Sequence, residues 1–524
     1  MLRMLTLATT AVVALSAGAA QAESFRWAGQ TDPSTLDPHA ASTAPVLGFL
    51  NNVYEGLVRR GPDMAIEPSL ATAWEPIGTE GWRFFLREGV QFHGGEMFDA
   101  DDVLFSYERA TSEQSDVTSW FAQVTAVEVV DPFTIDFYTS VPNPLFPSSI
   151  ANFMVMDRGW SDSVGATTPA RDEEKATTLQ TNGTGPFMVV ERAPDVRTLL
   201  APYEGWWGEA THGITEAEFV PVSSAATRVA ALLSGELDFM EPVPLQDVPR
   251  LESADGVYVE RGVEARVLFF GFEHQAEELR YGDERSAGEN PFQDARVRQA
   301  VYHAINADAI VSQIMRGNAQ TVGLLVGPGM GGYTTEQDQR LAYDPDMARA
   351  LLAEAGYPDG FQFGMRCPNN RYINDEAICT AATAMLEQIG LNVELITVPV
   401  SVYWDELRAG LFDMYLLGWS PGTFDAEHPI RFLMHTNDPE VRLGSWNFGR
   451  YSNPEVDRRL QPIQTEIDPM ARQALVDEVH TILREEAVYV PTHVQPLVWG
   501  VREGVNVIQR ADNFFILRWV SFDS

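Results

Sequence analysis

Residues 361–400 read FQFGMRCPNNRYINDEAICTAATAMLEQIGLNVELITVPV, and this stretch decides the fold class. Residues 361–367 read as a strand, residues 375–389 as a helix that Gly390 ends, and residues 393–398 as a second strand. A crossover of this kind makes the two strands parallel and neighbours in one sheet. The sequence therefore predicts an α/β fold that contains a β-α-β unit.

Two loops leave the carboxyl ends of strands in this region, which is where parallel sheets bind ligands. The first is residues 368–374, in which Asn370, Arg371 and Tyr372 are candidate ligand-binding residues. The second follows a further predicted strand, residues 413–417, and carries Asp425. Arg371 and Asp425 could hold the two ends of a zwitterion. The alternative is a surface salt bridge between them.

Aromatic residues are concentrated in the same half of the chain. Tyr403, Trp404 and Trp419 are large, rigid side chains of the kind that lines ligand clefts. Core positions are the alternative for each of them. The three residues are therefore candidates for the wall of a binding cleft.

Residues 418–422, Gly-Trp-Ser-Pro-Gly, match the nucleophile elbow of serine hydrolases, with Ser420 as the nucleophile. An elbow uses the backbone N–H after the serine in its oxyanion hole, and Pro421 has no N–H. The residues that follow, up to Pro429, do not have a helical pattern. We therefore expect no hydrolase at this site.

Strand and helix signals alternate along the rest of the chain. Apolar and polar residues alternate over residues 81–87, which predicts a half-buried strand. A helix is predicted from Ala100, with the carboxylates of Asp101 and Asp102 in its first turn. Residues 124–138 predict a hairpin about Asp131-Pro132. An apolar stripe predicts one helix from Asp294 to about Met315, and a second helix is predicted over residues 346–354.

Composition excludes several classes of protein. The chain has 524 residues, 45% of them hydrophobic, and a formal net charge of −38. Such a charge repels nucleic-acid phosphates, so no nucleic acid is expected as a partner. The chain has nine histidines but no H-E-x-x-H motif, so no metal site is expected. No cofactor is expected either. The two cysteines, Cys367 and Cys379, are either a disulfide across the strand-to-helix loop or two buried thiols.

Residues 1–22 have the pattern of a cleavable signal peptide. Arg3 precedes an apolar run over residues 5–20, and Ala20-Gln21-Ala22 is the small-x-small pattern before a cleavage site. A membrane anchor is the alternative, but the run is short and polar residues follow it directly. We expect export to a periplasm as a soluble monomer.

The chain resembles the family 5 extracellular solute-binding proteins, which serve dipeptide, oligopeptide and nickel ABC importers. Residues 82–103, WRFFLREGVQFHGGEMFDADDV, resemble the long signature of that family. Shorter matches occur in order along the chain, at residues 54–57, 183–187, 296–300, 304–306, 351–358 and 451–457.

The resemblance implies two lobes joined by a hinge that close over a buried ligand. It places a first lobe at residues 23–268 with an inserted subdomain at about 61–175, and a second lobe at residues 269–490. The C-terminal segment, residues 491–524, is expected to return to the first lobe. The chain is then a binding protein for a small molecule that it delivers to the membrane permease of an ABC importer, and not an enzyme.

The resemblance also implies roles for single residues. In peptide-binding relatives, an aspartate three residues after the Gly-Trp tryptophan holds the α-amine of the ligand, and this chain has Gly422 there. Asp425 could reach the same amine. Arg371 is the candidate for the ligand carboxylate, and Trp404 and Trp419 resemble the cleft tryptophans.

Near the mature N-terminus, Ser42 and Thr43 fall where the first lobe of relatives contacts ligand. Short peptides or related zwitterions are the predicted ligands. Because Gly422 departs from the family pattern, another solute, such as an opine, an oligosaccharide or a nickel chelate, remains the alternative.

Overall fold

The computed structural model describes residues 23–170, 175–210, 212–286, 288–440 and 443–523. The predicted signal peptide, residues 1–22, lies outside the described residues. Within the described ranges, no helix is both long enough and apolar enough to cross a lipid bilayer.

Strands from both halves of the chain alternate with helices. The strands are β1 (Glu23–Gly29), β2 (Val58–Arg60), β3 (Ile66–Pro68), β4 (Ala71–Ile77), β5 (Gly81–Leu86), β6 (Val124–Asp131), β7 (Thr134–Thr139), β8 (Phe187–Ala193), β9 (Arg197–Pro202), β10 (Ile214–Pro221), β11 (Phe239–Met240), β12 (Val257–Phe272), β13 (Gln320–Thr321), β14 (Gln362–Pro368), β15 (Asn392–Val398), β16 (Met414–Trp419), β17 (Tyr489–Arg502), β18 (Val505–Asn506) and β19 (Ser521–Phe522).

The helices are α1 (Ala44–Leu50), α2 (Ala100–Ala110), α3 (Phe146–Ser149), α4 (Arg158–Ser163), α5 (Ala176–Leu179), α6 (Ala225–Leu233), α7 (Val248–Glu252), α8 (Ala295–Ala304), α9 (Ala307–Ala309), α10 (Pro345–Glu354), α11 (Asp375–Glu387), α12 (Val400–Arg408), α13 (Glu427–Pro429), α14 (Pro454–Thr465) and α15 (Pro469–Glu485).

The largest sheet contains strands from both halves of the chain, in the order β15-β14-β16-β12-β17-β11-β1-β10-β9-β8, with β13 added on β17. We call the side that contains β11, β1, β10, β9 and β8 the first lobe, and the side that contains β15, β14 and β16 the second lobe. The predicted β-α-β unit is confirmed, since α11 connects β14 to the parallel strand β15.

Two long strands, β12 and β17, cross from one lobe to the other; we call them the crossing strands. Residues 257–263 of β12 pair with the carboxyl half of β17, and the register shifts between Val263 and Val267. From Val267 onward, β12 pairs with both β16 and the amino half of β17. The predicted lobe boundaries, 268/269 and 490/491, both fall within these strands and stay predictions.

A second, four-stranded antiparallel sheet, in the order β4-β5-β7-β6, lies within the predicted inserted subdomain. The predicted hairpin is confirmed as β6 and β7. The helix expected at Ala100 is α2, which the Asp99 and Asp102 side chains begin with a reciprocal capping box. The core between this sheet and α2 is aromatic, and Phe84, Phe137 and Phe146 are fully buried in it.

The C-terminal segment packs on the first lobe. Trp499, Phe515 and Leu517 lie in the same buried cluster as Phe25 and Trp27 of β1. The Asn52 side chain ties the segment down, since it donates to the carbonyl of Phe515 and accepts from the N–H of Leu517.

The helix predicted from Asp294 to about Met315 is not continuous. The α8 helix ends at Ala304, and Ile305 has extended backbone dihedral angles. Asn306 then begins a new helical segment, because its side chain accepts the N–H of Ala309. The predicted single helix is therefore wrong, because the Asn306 N-cap interrupts it.

Candidate ligand-binding site

The carboxyl ends of parallel strands form two edges, one in each lobe. In the first lobe, β1 pairs in parallel with β10 and β11. In the second lobe, β14 pairs in parallel with β15 and β16. Loops leave each edge where sheets of this kind bind ligands. The candidate residues from the sequence lie on or beside these loops.

The loop after β14 presents Arg371. Its backbone is fixed by Asp375, whose carboxylate accepts the N–H groups of Arg371 and Tyr372 at 2.8 and 2.9 Å. The Arg371 guanidinium lies 5.1 Å from the centre of the Tyr372 ring and is exposed. No carboxylate pairs with it among the described residues. An exposed cation on a fixed loop can bind a ligand carboxylate.

The neighbours of Arg371 hold the loop rather than extend from it. The Asn370 side chain accepts the N–H of Val400 at 2.8 Å, which connects the loop to α12. Tyr372 is buried, which raises its pKa, and its ring packs against Gly418. A Cβ atom on Gly418 would lie 2.7 Å from that ring, so the Gly-Trp pair needs glycine for this close approach.

A disulfide closes the segment that carries Arg371. Cys367, near the end of β14, is bonded to Cys379 in α11, and both residues are fully buried. Of the two alternatives from the sequence, the structure contains the bridge. It limits how far the strand end and the helix can separate.

Three tryptophans form a row on the second lobe. Trp446 lies between the other two, with ring centres 5.6 Å from Trp404 and 5.5 Å from Trp419. Trp404 and Trp446 are partly exposed, and Trp419 is 9% exposed. Trp446 was missed from the sequence, because it lies in an irregular segment without periodicity.

Tyr403 belongs to the core, and its prediction as a cleft residue is corrected. It is fully buried, and its hydroxyl donates to the carbonyl of Leu416 at 2.5 Å. The ring of the next residue, Trp404, lies 5.3 Å from that of Tyr403, but it is partly exposed and also contacts Trp446.

His428 lies beside Gly422, where the family pattern has an aspartate. The indole N–H of Trp419 donates to Nδ1 of His428 at 3.1 Å. Because an indole nitrogen only donates, Nδ1 accepts and Nε2 carries the imidazole proton. Burial, and then the charge of Arg431, lower the pKa of His428 to about 3, so the ring is neutral. A Cβ atom on Gly422 would lie 3.3 Å from Nε2. This part of the loop therefore offers a hydrogen-bond donor.

Asp425 does not face an open cleft. Its carboxylate accepts from both terminal nitrogens of Arg472, at 2.6 and 2.9 Å, and also from the N–H of Glu427. It is 4% exposed. The expected clamp of Arg371 and Asp425 is therefore corrected, and so is the alternative in which the two residues pair with each other.

The first lobe contacts this same loop. The Arg60 guanidinium and the Ser148 hydroxyl both donate to the carbonyl of Thr423, at 3.3 and 3.1 Å. The guanidinium of Arg60 also lies 4.3 Å from the centre of the Phe424 ring. We call this set of contacts the interlobe contact. It joins the two lobes through residues 420–426, the loop after β16, which we call the Gly-Trp loop.

Ser42 and Thr43 are exposed and directly precede α1. The carbonyl of Thr43 accepts the first N–H groups of that helix, those of Val46 and Leu47. Both residues lie next to Ala44, which lines a cavity at the first-lobe edge. Their hydroxyls have no hydrogen-bond partner in the described part of the chain.

Ser420 has no catalytic partner among the described residues. The Nδ1 atom of His428 accepts a hydrogen bond from Trp419. No hydrogen bond joins the Ser420 hydroxyl to a histidine within the described residues. The residues after Pro421 form a turn, not the helix that an elbow requires.

Comparison with known proteins identifies the family. Residues 65–440 match the profile of the bacterial extracellular solute-binding proteins, family 5 Middle. The glutathione-binding protein GsiB of Salmonella paratyphi A is 24% identical over 477 residues, which cover 89% of this chain and 88% of that protein. The dipeptide-binding protein of Escherichia coli K12 is 25% identical over 519 residues, covering 92% and 91%.

Among solved structures, HbpA2 from Haemophilus parasuis has the same fold, with a TM-score of 0.83 at 22% identity. The match covers 96% of this chain and 100% of HbpA2. Family 5 proteins are binding proteins for transport and not enzymes. The predicted two-lobed α/β fold is confirmed. The chain belongs to the family 5 bacterial extracellular solute-binding proteins, which bind small ligands and deliver them to ABC permeases.

Proposed function

We propose that this protein captures short peptides, or related zwitterions derived from amino acids, and delivers them to its permease. The observation that carries the proposal is Arg371, an exposed guanidinium on a loop fixed by Asp375 and without a carboxylate partner among the described residues. A free carboxylate, as at the end of a peptide, satisfies such a group with two parallel hydrogen bonds. The tryptophan row on the second lobe offers apolar contact area for side chains.

The proposed mechanism of ligand capture is closure of the two lobes over the ligand. The crossing strands have their register shift between Val263 and Val267, and this irregularity is the proposed hinge. An open form exposes both carboxyl edges to water. A ligand that contacts both edges at once favours the closed form by its additional contacts. Release to the permease then requires reopening.

We propose that residues 1–22 direct export and are removed, and that the mature protein acts in the periplasm as a monomer. The names of two further structural relatives support the compartment, since each is called a periplasmic binding protein. The disulfide between Cys367 and Cys379 is compatible with an oxidising compartment.

The test is native mass spectrometry of the mature protein, purified without refolding and then mildly denatured to release what it carries. We expect a set of short peptides, or one amino-acid derivative with a free carboxylate. The Arg371→Ala variant, purified in parallel, should lose that cargo, while Arg408→Ala, an exposed arginine paired with Asp405, should keep it. Identical cargo on all three proteins would contradict the proposal.

A non-peptide solute is the second candidate, and Gly422 and His428 favour it. The neutral imidazole offers a donor where the family pattern has a carboxylate, so this loop suits an acceptor group such as a hydroxyl, carbonyl or carboxylate. Opines, oligosaccharides and nickel chelates all carry such groups. A rise in melting temperature with one of these compounds, and none with peptides, would establish it.

A further inference from the structure

A cavity of about 380 Å³ lies at the carboxyl edge of the first lobe. Gly29 at the end of β1, Phe219 in β10 and Glu241 directly after β11 line it. The start of α1 and Asn513 of the C-terminal segment complete the wall. Its volume is in the range of small-ligand pockets, and its position at three parallel strand ends is where ligands bind.

The cavity contains one carboxylate, which the protein fixes at one oxygen only. The Asn513 amide donates to Oε2 of Glu241 at 2.8 Å. Trp499 donates to the amide oxygen of Asn513 at 2.9 Å, which fixes the orientation of that amide. The other oxygen, Oε1, has no hydrogen-bond partner among the described residues and faces the space beside Gly29.

Glu241 has no ion-pair partner in the described part of the chain, whereas other acidic residues do. Asp425 pairs with Arg472, and Glu264 on β12 pairs with Arg266. The charge of Arg228 lowers the pKa of Glu241, but the two residues form no ion pair. The Arg228 guanidinium donates instead to the carbonyls of Val222, Ser223 and Pro242. A partly buried carboxylate without a counter-ion is costly unless a ligand supplies one.

The walls of the cavity also suit a cation. Trp27 and Phe219 lie with ring centres 5.3 Å apart, and Phe515 lies 6.2 Å from Trp27. The faces of aromatic rings attract ammonium groups, most strongly where water is excluded. Aromatic walls around a single carboxylate form a site for a positively charged group with an apolar neighbour.

The cavity lies close to the crossing strands. Two residues before Asn513, the carbonyl of Ala511 accepts the N–H of Ala265, which is in the irregular part of β12. On the other side, Ala44 follows the exposed Ser42 and Thr43. A group held in the cavity would therefore lie close to the proposed hinge.

We propose that Glu241 binds the ammonium group of the ligand from the first lobe, with Asn513 positioning its carboxylate. This inference rests on the proposed function, because it assumes a ligand with a free amine. It gives the two lobes separate tasks. The first lobe binds the cationic end, and Arg371 on the second lobe binds the carboxylate, so that only a ligand with both ends connects them.

The ionisation of Glu241 agrees with this role. Burial raises its pKa to about 7, while the hydrogen bond from Asn513 and the charge of Arg228 lower it. An ammonium group at Oε1 would favour the charged form and lower this pKa. Binding of an amine near pH 7 therefore releases protons, whereas binding of an acetylated amine does not.

The experiment uses a competition between paired ligands. The probe is a mixture of peptides of two to five residues together with glutathione, combined with an equal amount of the same mixture acetylated at its amines. The mature protein is incubated with this probe, and captured molecules are identified by native mass spectrometry. Glu241→Gln is the test variant, because it keeps the shape but places an amide at Oε1. Glu236→Gln, an exposed residue before β11, is the matched control.

We expect the unmodified protein and Glu236→Gln to prefer free amines over acetylated ones by about 10- to 100-fold. Glu241→Gln should lose this preference but remain folded, as checked by its melting curve. If Glu241→Gln retains the preference, or if the unmodified protein shows none, the Glu241 subsite is overturned while peptide capture stands. If the unmodified protein captures neither form, the proposed function fails as well.

Discussion

Asp425 and Arg472 form a two-point ion pair in which each carboxylate oxygen accepts from one terminal nitrogen, at 2.6 and 2.9 Å. The side chains are 6% and 13% exposed. This pair fixes the end of the Gly-Trp loop, whose Thr423 carbonyl contacts the first lobe. Asp425 therefore acts as a structural residue of the loop, next to the candidate ligand-binding site.

Removal of Asp425 should reduce stability more than affinity. Asp425→Ala leaves Arg472 as an unpaired charge in a nearly buried place, and we expect a loss of about 3 kcal/mol in the free energy of unfolding. Urea denaturation measures it. The double variant Asp425→Ala/Arg472→Met should recover part of the loss. A tenfold loss of affinity in Asp425→Asn without a change in stability would instead place Asp425 against the ligand.

Arg371 should control recognition of the ligand carboxylate. For a peptide identified on the purified protein, Arg371→Ala should weaken binding by about 10- to 100-fold, because a charged hydrogen bond is lost. Arg371→Lys should recover only part of it, since lysine lacks the planar two-point geometry. Isothermal titration calorimetry gives the affinities. The same peptide with an amidated C-terminus is the control, and its weaker binding should not change in Arg371→Ala.

Glu241 should lower stability at high pH. Its pKa is raised to about 7 in the folded protein, above the ordinary value of 4.5. The stabilising contribution of the neutral form is fully present below about pH 4.5 and is lost as the pH rises through about 7. Glu241→Gln should therefore match the unmodified protein near pH 4.5 and be more stable by about 1–3 kcal/mol at pH 8. Melting curves across this range measure the difference, and an offset independent of pH would contradict it.

The disulfide should stabilise the second lobe. Cys367 and Cys379 are 12 residues apart, and for a loop of that length the bond contributes about 3 kcal/mol. Replacement of both by alanine should lower the melting temperature and make it insensitive to reducing agents. Because Arg371 lies within the closed segment, affinity for carboxylate ligands should fall as well. Equal melting temperatures of the protein with and without reductant would show that the bridge contributes little.

The interlobe contact should affect how long a ligand stays bound. Ser148→Ala removes one of the donors to Thr423, and the loss of about 1 kcal/mol corresponds to about fivefold faster dissociation if closure depends on this contact. Stopped-flow tryptophan fluorescence measures the rate. Ser149→Ala is the matched control, because that hydroxyl donates to Leu145 within its own segment. Equal rates in both variants would separate the contact from closure.

Local patterns predicted the elements well. The β-α-β unit at residues 361–398 followed from one strand pattern, one helix pattern and Gly390, all within 40 residues of sequence. The break in the helix at Asn306 had a local signal too, because asparagine is a frequent N-cap. The apolar stripe alone predicts one continuous helix, because it does not show this break.

The site depended on partners far apart in the sequence. Asp425 looked like a free carboxylate because Arg472, 47 residues later, has no visible relation to it in the sequence. Glu241 has no local sequence signal, because Asn513, 272 residues later, is what fixes it in the cavity. Tyr403 is fully buried while its neighbour Trp404 is partly exposed, and only the direction of α12 against the sheet determines this difference.

The shared sheet makes the two lobes inseparable as folding units. Since β12 and β17 are paired along both lobes, either lobe produced alone would end in an unpaired strand edge, with its backbone N–H and carbonyl groups open to another chain. The same pairing connects the two carboxyl edges, so we expect a twist of these two strands to change the separation of Arg371 and Glu241. We therefore expect a protein shortened to one lobe to aggregate, so that it could not be used to measure binding at one half of the proposed site.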